Sequence, residues 1–352
     1  MNDQNNNINT SAVEEEGFNS GGRRTVSKTN VTFTDTIGHG WFGWVVSGNL
    51  KRYGKIIIKI LKEESSPEYI DKFRREHESW ETVKHENVVK IVGSCFNSFP
   101  MLSLMEWSDH ICAKTYLKTL RDNPDLDLSL QLSMDLCSGL AALHHLNVVV
   151  PDLAARNCVL NEYYVLKIGD YGLGRAMFPE DYWPIMTESV PLRWSSPDQL
   201  NLMQHRSIPS YNPCSMEDNL WGLGVVIWEL LTCCQRPYHS LSDKSVLELL
   251  LSRSDVSQYF TSEQKTGIKY KCVSLLACNN LSLHASQRYL NNSNCGNDKL
   301  IRFSAVKMEE ELSIIARTGR QHMETLYRQL EANLNQNIYT SFTEVDITEF
   351  GK

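Results

Sequence analysis

Four short stretches of the chain carry residues whose types and spacing suit the handling of a phosphate group. The first is a G-x-G-x-x-G loop of Gly38, Gly40 and Gly43 between two strand-like runs. Glycines let backbone N–H groups approach phosphate oxygens without a Cβ in the way. A dinucleotide-binding fingerprint would continue into a helix, whereas a strand follows here, so the pattern favours a lid over nucleotide phosphates. Taken alone, a glycine-rich hairpin is the simpler interpretation.

A lysine and a glutamate follow the loop. Lys59 closes an apolar strand sixteen residues after Gly43, and Glu76 lies on a predicted helix that opens at Ser66-Pro67. A carboxylate partner would hold the lysine ammonium toward a phosphate. Without that pairing, Lys59 is an ordinary strand-end charge and Glu76 belongs to a solvated helix face.

Two acidic motifs come later. Asp152 and Asn157 lie five residues apart on a predicted loop, and Asp170 begins a D-x-G motif thirteen residues after Asn157. This spacing lets Asp152 act as a base, while Asn157 and Asp170 offer the oxygen ligands that Mg²⁺ prefers. A lone D-x-G is usually just a turn. The ordered set of glycine loop, Lys, Glu, D-x-x-x-x-N and D-x-G predicts phosphoryl transfer instead.

The elements that must position these residues change in type along the chain. Strand-like runs cover 33–37, 44–47 and 56–61, whereas helical periodicity dominates from Leu117 onward. Buried helix stripes are predicted at Leu132, Leu136, Leu140 and Leu143, at Trp221, Val225 and Trp228, at Ala305, Met308, Leu312 and Ile315, and at Met323, Leu326, Leu330 and Leu334. A strand-rich part followed by a helix-rich part predicts the α+β class with two lobes. Residues 1–30 are Asn-rich and predicted to be a disordered tail.

Composition narrows the class of protein. The 352 residues carry a net charge of −7, which argues against a nucleic-acid binder driven by bulk charge. The longest apolar stretch, Leu220 to Cys234, is too short for a membrane span and contains Glu229. No signal peptide is seen, and the ten cysteines lack CxxC spacing, so we expect reduced thiols and a cytoplasmic location.

Over residues 31–290 the chain resembles the eukaryotic protein kinases. The stretches 152–157 and 191–194 resemble the tyrosine-kinase group, and 168–173, 180–182 and 219–221 are similar to the lemur-tail kinases. The resemblance implies an α+β, two-lobed kinase fold with a β-rich N-lobe at 31–107 and a helical C-lobe at 108–295. A helical extension would follow at 296–352. It also implies ATP and Mg²⁺ as cofactors and a protein substrate. We expect no nucleic-acid partner and no transmembrane segment, which leaves recruitment to a membrane through a partner open.

The resemblance implies a role for each motif residue. Gly38, Gly40 and Gly43 would cover the phosphates, and Lys59 would pair with Glu76 and with the α- and β-phosphates. The adenine would contact Val45, Ile57 and Val159 and the backbone of Glu106 and Trp107, next to Met105, although these apolar residues also suit plain core. Asp152 would accept the substrate proton, Arg156 would help to seat a tyrosine ring, and Asn157 and Asp170 would hold Mg²⁺.

The chain departs from the family pattern around Asp152. Val150 and Pro151 replace the usual His-Arg, and Pro151 has no N–H to donate. Asn219 replaces an aspartate that accepts N–H bonds from that segment, which makes sense if one donor is gone. Asp198 replaces a glutamate whose expected arginine partner is Arg288.

These departures leave two functions open. The first is a protein kinase that transfers the γ-phosphoryl group of ATP to a protein hydroxyl, predicted to be tyrosine. The second is a pseudokinase that acts by binding ATP or partners. A small-molecule kinase is disfavoured by the stretch 191–194. Tyr182 lies where a phosphate would regulate the enzyme, but Pro151 cannot receive that phosphate, and Arg175 and Arg193 are the nearest basic residues in sequence. We therefore expect Tyr182→Phe to change activity less than about threefold.

Overall fold

The structure is a computed structural model of the whole chain, and it describes residues 17–18, 24–185, 188–204, 214–252 and 305–318, with isolated positions beyond these. These residues form two compact units. The first comprises the described residues up to Glu81 and residues 90–107, and the second comprises residues 82–89 and the described residues from Ser108 onward. The helix predicted at 323–334 and Arg288 lie outside the described elements. No helix of the described residues is long and apolar enough to cross a membrane.

The first unit is a seven-stranded sheet with one helix. Its strands are β1 (Gly17–Phe18), β2 (Arg24–Thr25), β3 (Val31–His39), β4 (Gly43–Leu50), β5 (Gly54–Leu61), β6 (Ile91–Cys95) and β7 (Leu102–Glu106), and its helix is α1 (Pro67–Glu81). The strand order is β1-β2-β6-β7-β5-β4-β3, and only the pairing of β2 with β6 is parallel. The predicted strands at 33–37, 44–47 and 56–61 all lie within β3, β4 and β5.

The prediction of a disordered tail is wrong for residues 24–30. The Val26 N–H donates to Ser94 O at 2.9 Å, and the Val26 side chain is buried among core residues of the sheet. A 3₁₀ turn at Lys28–Asn30 then leads into β3. Composition underestimated this segment, because one apolar residue and an open strand edge are enough to order a short piece of chain.

The second unit is mainly helical. Its helices are α2 (Ala113–Lys118), α3 (Leu126–His145), α4 (Gly174–Met177), α5 (Pro197–Gln204), α6 (Met216–Leu231), α7 (Asp243–Leu251) and α8 (Ala305–Arg317). Two short hairpins join them: β8 (Cys158–Leu160) with β9 (Leu166–Ile168), and β10 (Trp183–Ile185) with β11 (Glu188–Val190). The α+β class, with strands first and helices second, is confirmed.

Helix periodicity placed the core of the second unit correctly. The leucine stripe of α3 and the Trp221, Val225 and Trp228 stripe of α6 are buried, and α6 starts with a capping box between Ser215 and Asp218. The predicted stripe of α8 is buried as well, and α8 packs on α3. The seven cysteines that the structure describes are free thiols.

Candidate functional site

The glycine loop of the first unit is a tight connection between β3 and β4. The Gly40 N–H donates to Gly43 O at 2.8 Å, and Gly43 has a φ of +148°. A Cβ on Gly43 would lie 2.3 Å from Ile60 O, so only glycine fits this position. The loop residue Phe42 is buried, with its ring 5.5 Å from that of Phe73 on α1. The loop is therefore held to α1 by aromatic packing.

Lys59 and Glu76 form the ion pair that the resemblance implied. The Lys59 Nζ donates to Glu76 Oε1 at 3.1 Å, and the lysine side chain is only 6% exposed. Next to Lys59 on β7, Ser103 bonds through its hydroxyl to His77 Nδ1 at 2.7 Å. Glu76 and His77 thus anchor α1 to one face of the sheet. A solvated pair exists on the same helix between Asp71 and Arg75, but Glu76 does not belong to it.

The predicted adenine contacts of the first unit share a face of the sheet with Lys59. Val45 pairs with Lys59, and Ile57 pairs with Met105, so strand alternation places all four side chains on one face. The Glu106 N–H donates to Lys90 O at 3.0 Å. The predicted adenine contact of the Glu106 backbone would therefore be made by its carbonyl.

The other predicted adenine contacts are Trp107, in the first unit, and Val159, in the second. Lys55 places its Nζ 3.5 Å from the centre of the Trp107 ring. Val159 lies in the second unit, where it is buried in β8 and pairs with Lys167. Its burial suits both an adenine contact and plain core.

Asn157 and Asp170 are brought to adjoining backbone segments of the second unit. The Asn157 Nδ2 donates to Asp152 O at 2.8 Å, and the Gly169 N–H donates to Asn157 O at 3.2 Å. The Asp170 carboxylate accepts the N–H of Gly172, whose φ of +83° favours glycine. The D-x-G motif is thus a turn that also presents a carboxylate.

This donor set fits Mg²⁺ bound together with a nucleotide. Among the described residues, no cluster of three or more His, Cys, Asp or Glu side chains could hold a metal by itself. Mg²⁺ is usually bound through one or two protein oxygen ligands, with phosphates and waters completing the shell. Asn157 and Asp170 would supply two such side chains, and Asn157 is bonded to the backbone of Asp152.

Asp152 is occupied by side chains of its own chain. The Tyr182 hydroxyl donates to Asp152 Oδ2 at 2.6 Å, and the Arg156 Nη2 donates to Asp152 Oδ1. The Arg156 Nε also donates to the Tyr182 hydroxyl, at 3.0 Å. Burial raises the pKa of Tyr182, and the Asp152 carboxylate raises it further, so this tyrosine is a neutral hydrogen-bond donor.

Arg156 is the centre of this arrangement. Its guanidinium is buried and donates from all three nitrogens, to Asp152, Tyr182 and Asp181. Burial alone would lower the pKa of Arg156, but the neighbouring Asp152, Tyr182 and Asp181 raise it above its ordinary value. The guanidinium carbon lies 4.7 Å from the centre of the Tyr182 ring and 4.2 Å from that of Trp194. Arg156 therefore contacts a tyrosine ring, that of Tyr182.

The altered segment before Asp152 is held by Asn219. The Val150 N–H donates to Asn219 Oδ1 at 2.8 Å, and Asn219 Nδ2 donates to Val150 O at 2.7 Å. An aspartate could accept the first bond but could not donate the second. The amide therefore uses both backbone groups of Val150, which compensates for the missing N–H of Pro151.

Sequence reasoning missed three charged residues near Arg156. Lys114 and Asp181 form a buried ion pair, and the fully buried Glu229 accepts from the N–H of Ala155, next to Arg156. Glu229 carried a usable signal, since it is the one charged residue in the apolar stretch 220–234. Arg193, proposed as a receiver for a phosphate, is instead buried and bonded to Asp243.

Comparison with known proteins identifies the family. The family described as "Protein tyrosine and serine/threonine kinase" matches residues 31–275, well over half of the chain. The chain therefore belongs to the protein kinase family.

The similar proteins carry both kinds of kinase name. The chain is 34% identical to "Serine/threonine-protein kinase LMTK3" of Mus musculus over 66% of this chain and 17% of that protein. It is 33% identical to "Tyrosine-protein kinase transmembrane receptor Ror" of Drosophila melanogaster over 65% of this chain and 33% of that protein. It is 30% identical to "Tyrosine-protein kinase Fer" of Homo sapiens over 63% and 26%. The chain thus spans at most about a third of these relatives.

Proposed function

We propose that this chain transfers the γ-phosphoryl group of ATP to the hydroxyl of a tyrosine in a protein. The observation that carries the proposal is the Tyr182 hydroxyl, which lies 2.6 Å from Asp152 Oδ2 and 3.0 Å from Arg156 Nε. The predicted base thus accepts a hydrogen bond from a phenolic hydroxyl, which is the geometry a general base needs.

The ring contacts favour tyrosine over serine or threonine. Two guanidinium groups contact the Tyr182 ring, with distances from ring centre to guanidinium carbon of 4.7 Å for Arg156 and 4.9 Å for Arg175. These cation–π contacts require an aromatic ring. The short side chains of serine and threonine would make neither contact and would hold the backbone of a substrate closer to Asp152.

Each predicted residue has a role in this reaction. Lys59, held by Glu76, neutralises charge on the nucleotide phosphates, while Gly38, Gly40 and Gly43 bring backbone N–H groups to them. Asp152 accepts the proton of the substrate hydroxyl, and Arg156 orients the substrate ring. Asn157 and Asp170 would hold Mg²⁺, which would neutralise charge on the phosphates. ATP and Mg²⁺ are the proposed cofactors, and a tyrosine-containing protein is the proposed partner.

The pseudokinase remains the second candidate, because Asp152 and Arg156 are both engaged by Tyr182. The deciding experiment is a phosphotransfer assay with Mg²⁺ and ATP on two peptides that differ only in one acceptor, tyrosine or serine. We expect transfer to the tyrosine peptide and a loss of about 10²–10⁴-fold in Asp152→Asn, the range for a positioned base. Equal background signal from the parent chain and from Asp152→Asn would overturn the kinase proposal. Preference for the serine peptide would overturn the tyrosine assignment.

A further inference from the structure

A buried ion pair that the proposed reaction does not use lies beside Arg156. Lys114 projects from α2, and Asp181 belongs to the 3₁₀ turn Pro179–Asp181. Both are 3% exposed. The Asp181 Oδ2 accepts from Lys114 Nζ and, at 3.2 Å, from Arg156 Nη1. One carboxylate oxygen thus neutralises two buried cations.

Asp181 holds the backbone that leads into Tyr182. The two residues are adjacent, and the Tyr182 N–H donates to Pro179 O at 3.2 Å. The Phe178 ring, at the start of the same turn, lies 4.6 Å from Lys114 Nζ. Gly174 allows the close approach, since a Cβ there would lie 2.4 Å from Asn157 Oδ1 and 3.3 Å from the Tyr182 hydroxyl.

Moving the turn Pro179–Asp181, and Tyr182 with it, away from Asp152 means withdrawing Asp181 from both cations. A buried charge that loses its partner is strongly unfavourable unless another partner replaces it. Lys114 and Arg156 lie on α2 and the 152–157 loop, so they would stay behind when the turn moves. The turn Pro179–Asp181 can therefore move at a moderate free-energy cost only if another carboxylate replaces Asp181 beside the two cations. We call that carboxylate the exchange partner.

Glu229 has the position and the chemistry of that partner. Its Oε2 accepts from Trp194 Nε1 at 2.7 Å and from Ala155 N at 3.0 Å. Its Oε1 is buried and accepts no hydrogen bond from the described residues. Burial raises the pKa of Glu229, while the nearby charges of Lys114 and Arg156 lower it in part.

We propose that Lys114 and Asp181 form an internal latch that holds Tyr182 against Asp152, and that Glu229 becomes the counter-ion of Lys114 and Arg156 when the latch opens. The latch rests on the proposed function in one respect, because it makes Asp152 available only when open. A tyrosine of a substrate protein and Tyr182 would then compete for the same carboxylate.

The test measures exposure of Tyr182 without relying on the activity of this chain. A constitutively active tyrosine kinase domain is added to the full chain in a Lys59→Met background, and phosphorylation of Tyr182 is followed by mass spectrometry. We expect Lys114→Met to speed this modification by at least about fivefold, since about 1 kcal/mol of lost closure corresponds to that factor. Lys118→Met is the matched control, because the Lys118 Nζ also lies 5.0 Å from the centre of the Phe178 ring, whereas Asp181 pairs with Lys114.

Two further variants make the test decisive. Asp181→Asn keeps the shape of the side chain and should speed modification as Lys114→Met does, and the double variant should be no faster than the faster single one. If Lys114→Met does not fold, Asp181→Asn decides the question. Glu229→Gln removes the exchange partner and should slow the phosphorylation of Tyr182 at least about threefold relative to the parent protein. Rates within twofold of the parent in Lys114→Met and Asp181→Asn would overturn the latch, and an unchanged rate in Glu229→Gln would overturn the exchange.

The same variants with Lys59 intact separate the latch from the proposed function. Faster modification of Tyr182 with no peptide phosphorylation in any variant would support the latch and overturn the kinase proposal. Peptide phosphorylation with an unchanged rate at Tyr182 would do the reverse. If both proposals hold, peptide phosphorylation rises in Lys114→Met by a similar factor.

Discussion

The two units hold their predicted reactive groups in opposite conditions. In the first unit Lys59 has the partner that its proposed role requires, at 3.1 Å from Glu76. In the second unit both oxygens of Asp152 are engaged by Arg156 and Tyr182. The same set of motifs therefore includes a lysine that already has its partner and an aspartate that neighbouring side chains cover. A motif fixes which side chain acts, but the packing of neighbouring segments fixes whether a substrate can reach it.

The largest effect is expected from removing the charge of Lys59, the group that already has its partner. Lys59→Met keeps the length of the side chain and removes its charge from the phosphates. We expect a loss of transfer of about 10²–10³-fold, the range for one positioned electrostatic contact. Lys55→Met is the control on the same strand, since Lys55 contacts the Trp107 ring and not Glu76. Undiminished transfer to the tyrosine peptide would refute the assignment of Lys59.

The second prediction concerns the stability of the second unit. Asn219→Asp leaves a buried carboxylate that accepts from Val150 N but cannot donate to Val150 O. We expect the free energy of unfolding to fall by about 1–3 kcal/mol, the usual cost of an unsatisfied buried group. Urea denaturation measures it. Pro151→Ala restores a backbone N–H, so the double variant should recover part of the loss. A stable Asn219→Asp protein would show that Asn219 does not compensate for Pro151.

The residues of the first unit were largely predictable. Lys59 and Glu76 lie on regular elements, a strand and a helix, whose periodicity determines which side chains share a face. The stripes of α3 and α6 were predictable for the same reason. The pairing of Lys59 with Glu76 also required the resemblance, because a charge-rich helix turn has many solvated glutamates and few buried ones.

The covered state of Asp152 was not predictable. Lys114 and Asp181 lie 67 residues apart, and each belongs to a short element that imposes no periodicity. Asp181 follows Glu180 and precedes Tyr182, which is an ordinary composition for an exposed turn. Only tertiary packing shows that this aspartate is buried and that the Tyr182 hydroxyl points at the predicted base. Glu229 was the exception, since a lone carboxylate inside an apolar helix is expensive unless it has a use.

A third prediction sharpens the comparison by uncovering Asp152. Sequence reasoning, which considered only whether a phosphate on Tyr182 would find an arginine, predicts a change below about threefold for Tyr182→Phe. The structure leads to a different expectation, because the hydroxyl itself bonds to Asp152 and Arg156. Hydrogen bonds to charged groups contribute about 1.5–3 kcal/mol each, so their loss favours the uncovered state.

We therefore expect Tyr182→Phe to raise transfer to an added tyrosine peptide by at least about threefold. The increase should stay below what the loss of both hydrogen bonds alone would give, because the ring contacts remain. Initial rates at saturating ATP measure this. Tyr163→Phe is the control, since the Tyr163 side chain is 76% exposed. An unchanged or lower rate in Tyr182→Phe would mean that the hydroxyl does not compete with substrate.

The smallest expected effect concerns pH and Glu229. Burial holds the pKa of Glu229 above the ordinary value of 4.5, so over the window just above that value the folded chain binds one proton more than the unfolded chain. Stability therefore falls as pH rises through this window, with a limit of about 1.4 kcal/mol per pH unit for one proton. Glutamine cannot ionise, so Glu229→Gln should lose less stability than the parent between pH 5 and pH 7.

The measurement is the free energy of unfolding by urea at both pH values, compared as a difference between the two proteins, because other groups that titrate are common to both. Asp135, whose pKa burial also raises, provides the control site, and Asp135→Asn should show a similar flattening without altering the modification of Tyr182. Parallel pH profiles for Glu229→Gln and the parent would show that Glu229 is ionised in the covered state. In that case it would already serve as a counter-ion of Lys114 and Arg156 alongside Asp181, and it could not take over that role when the latch opens.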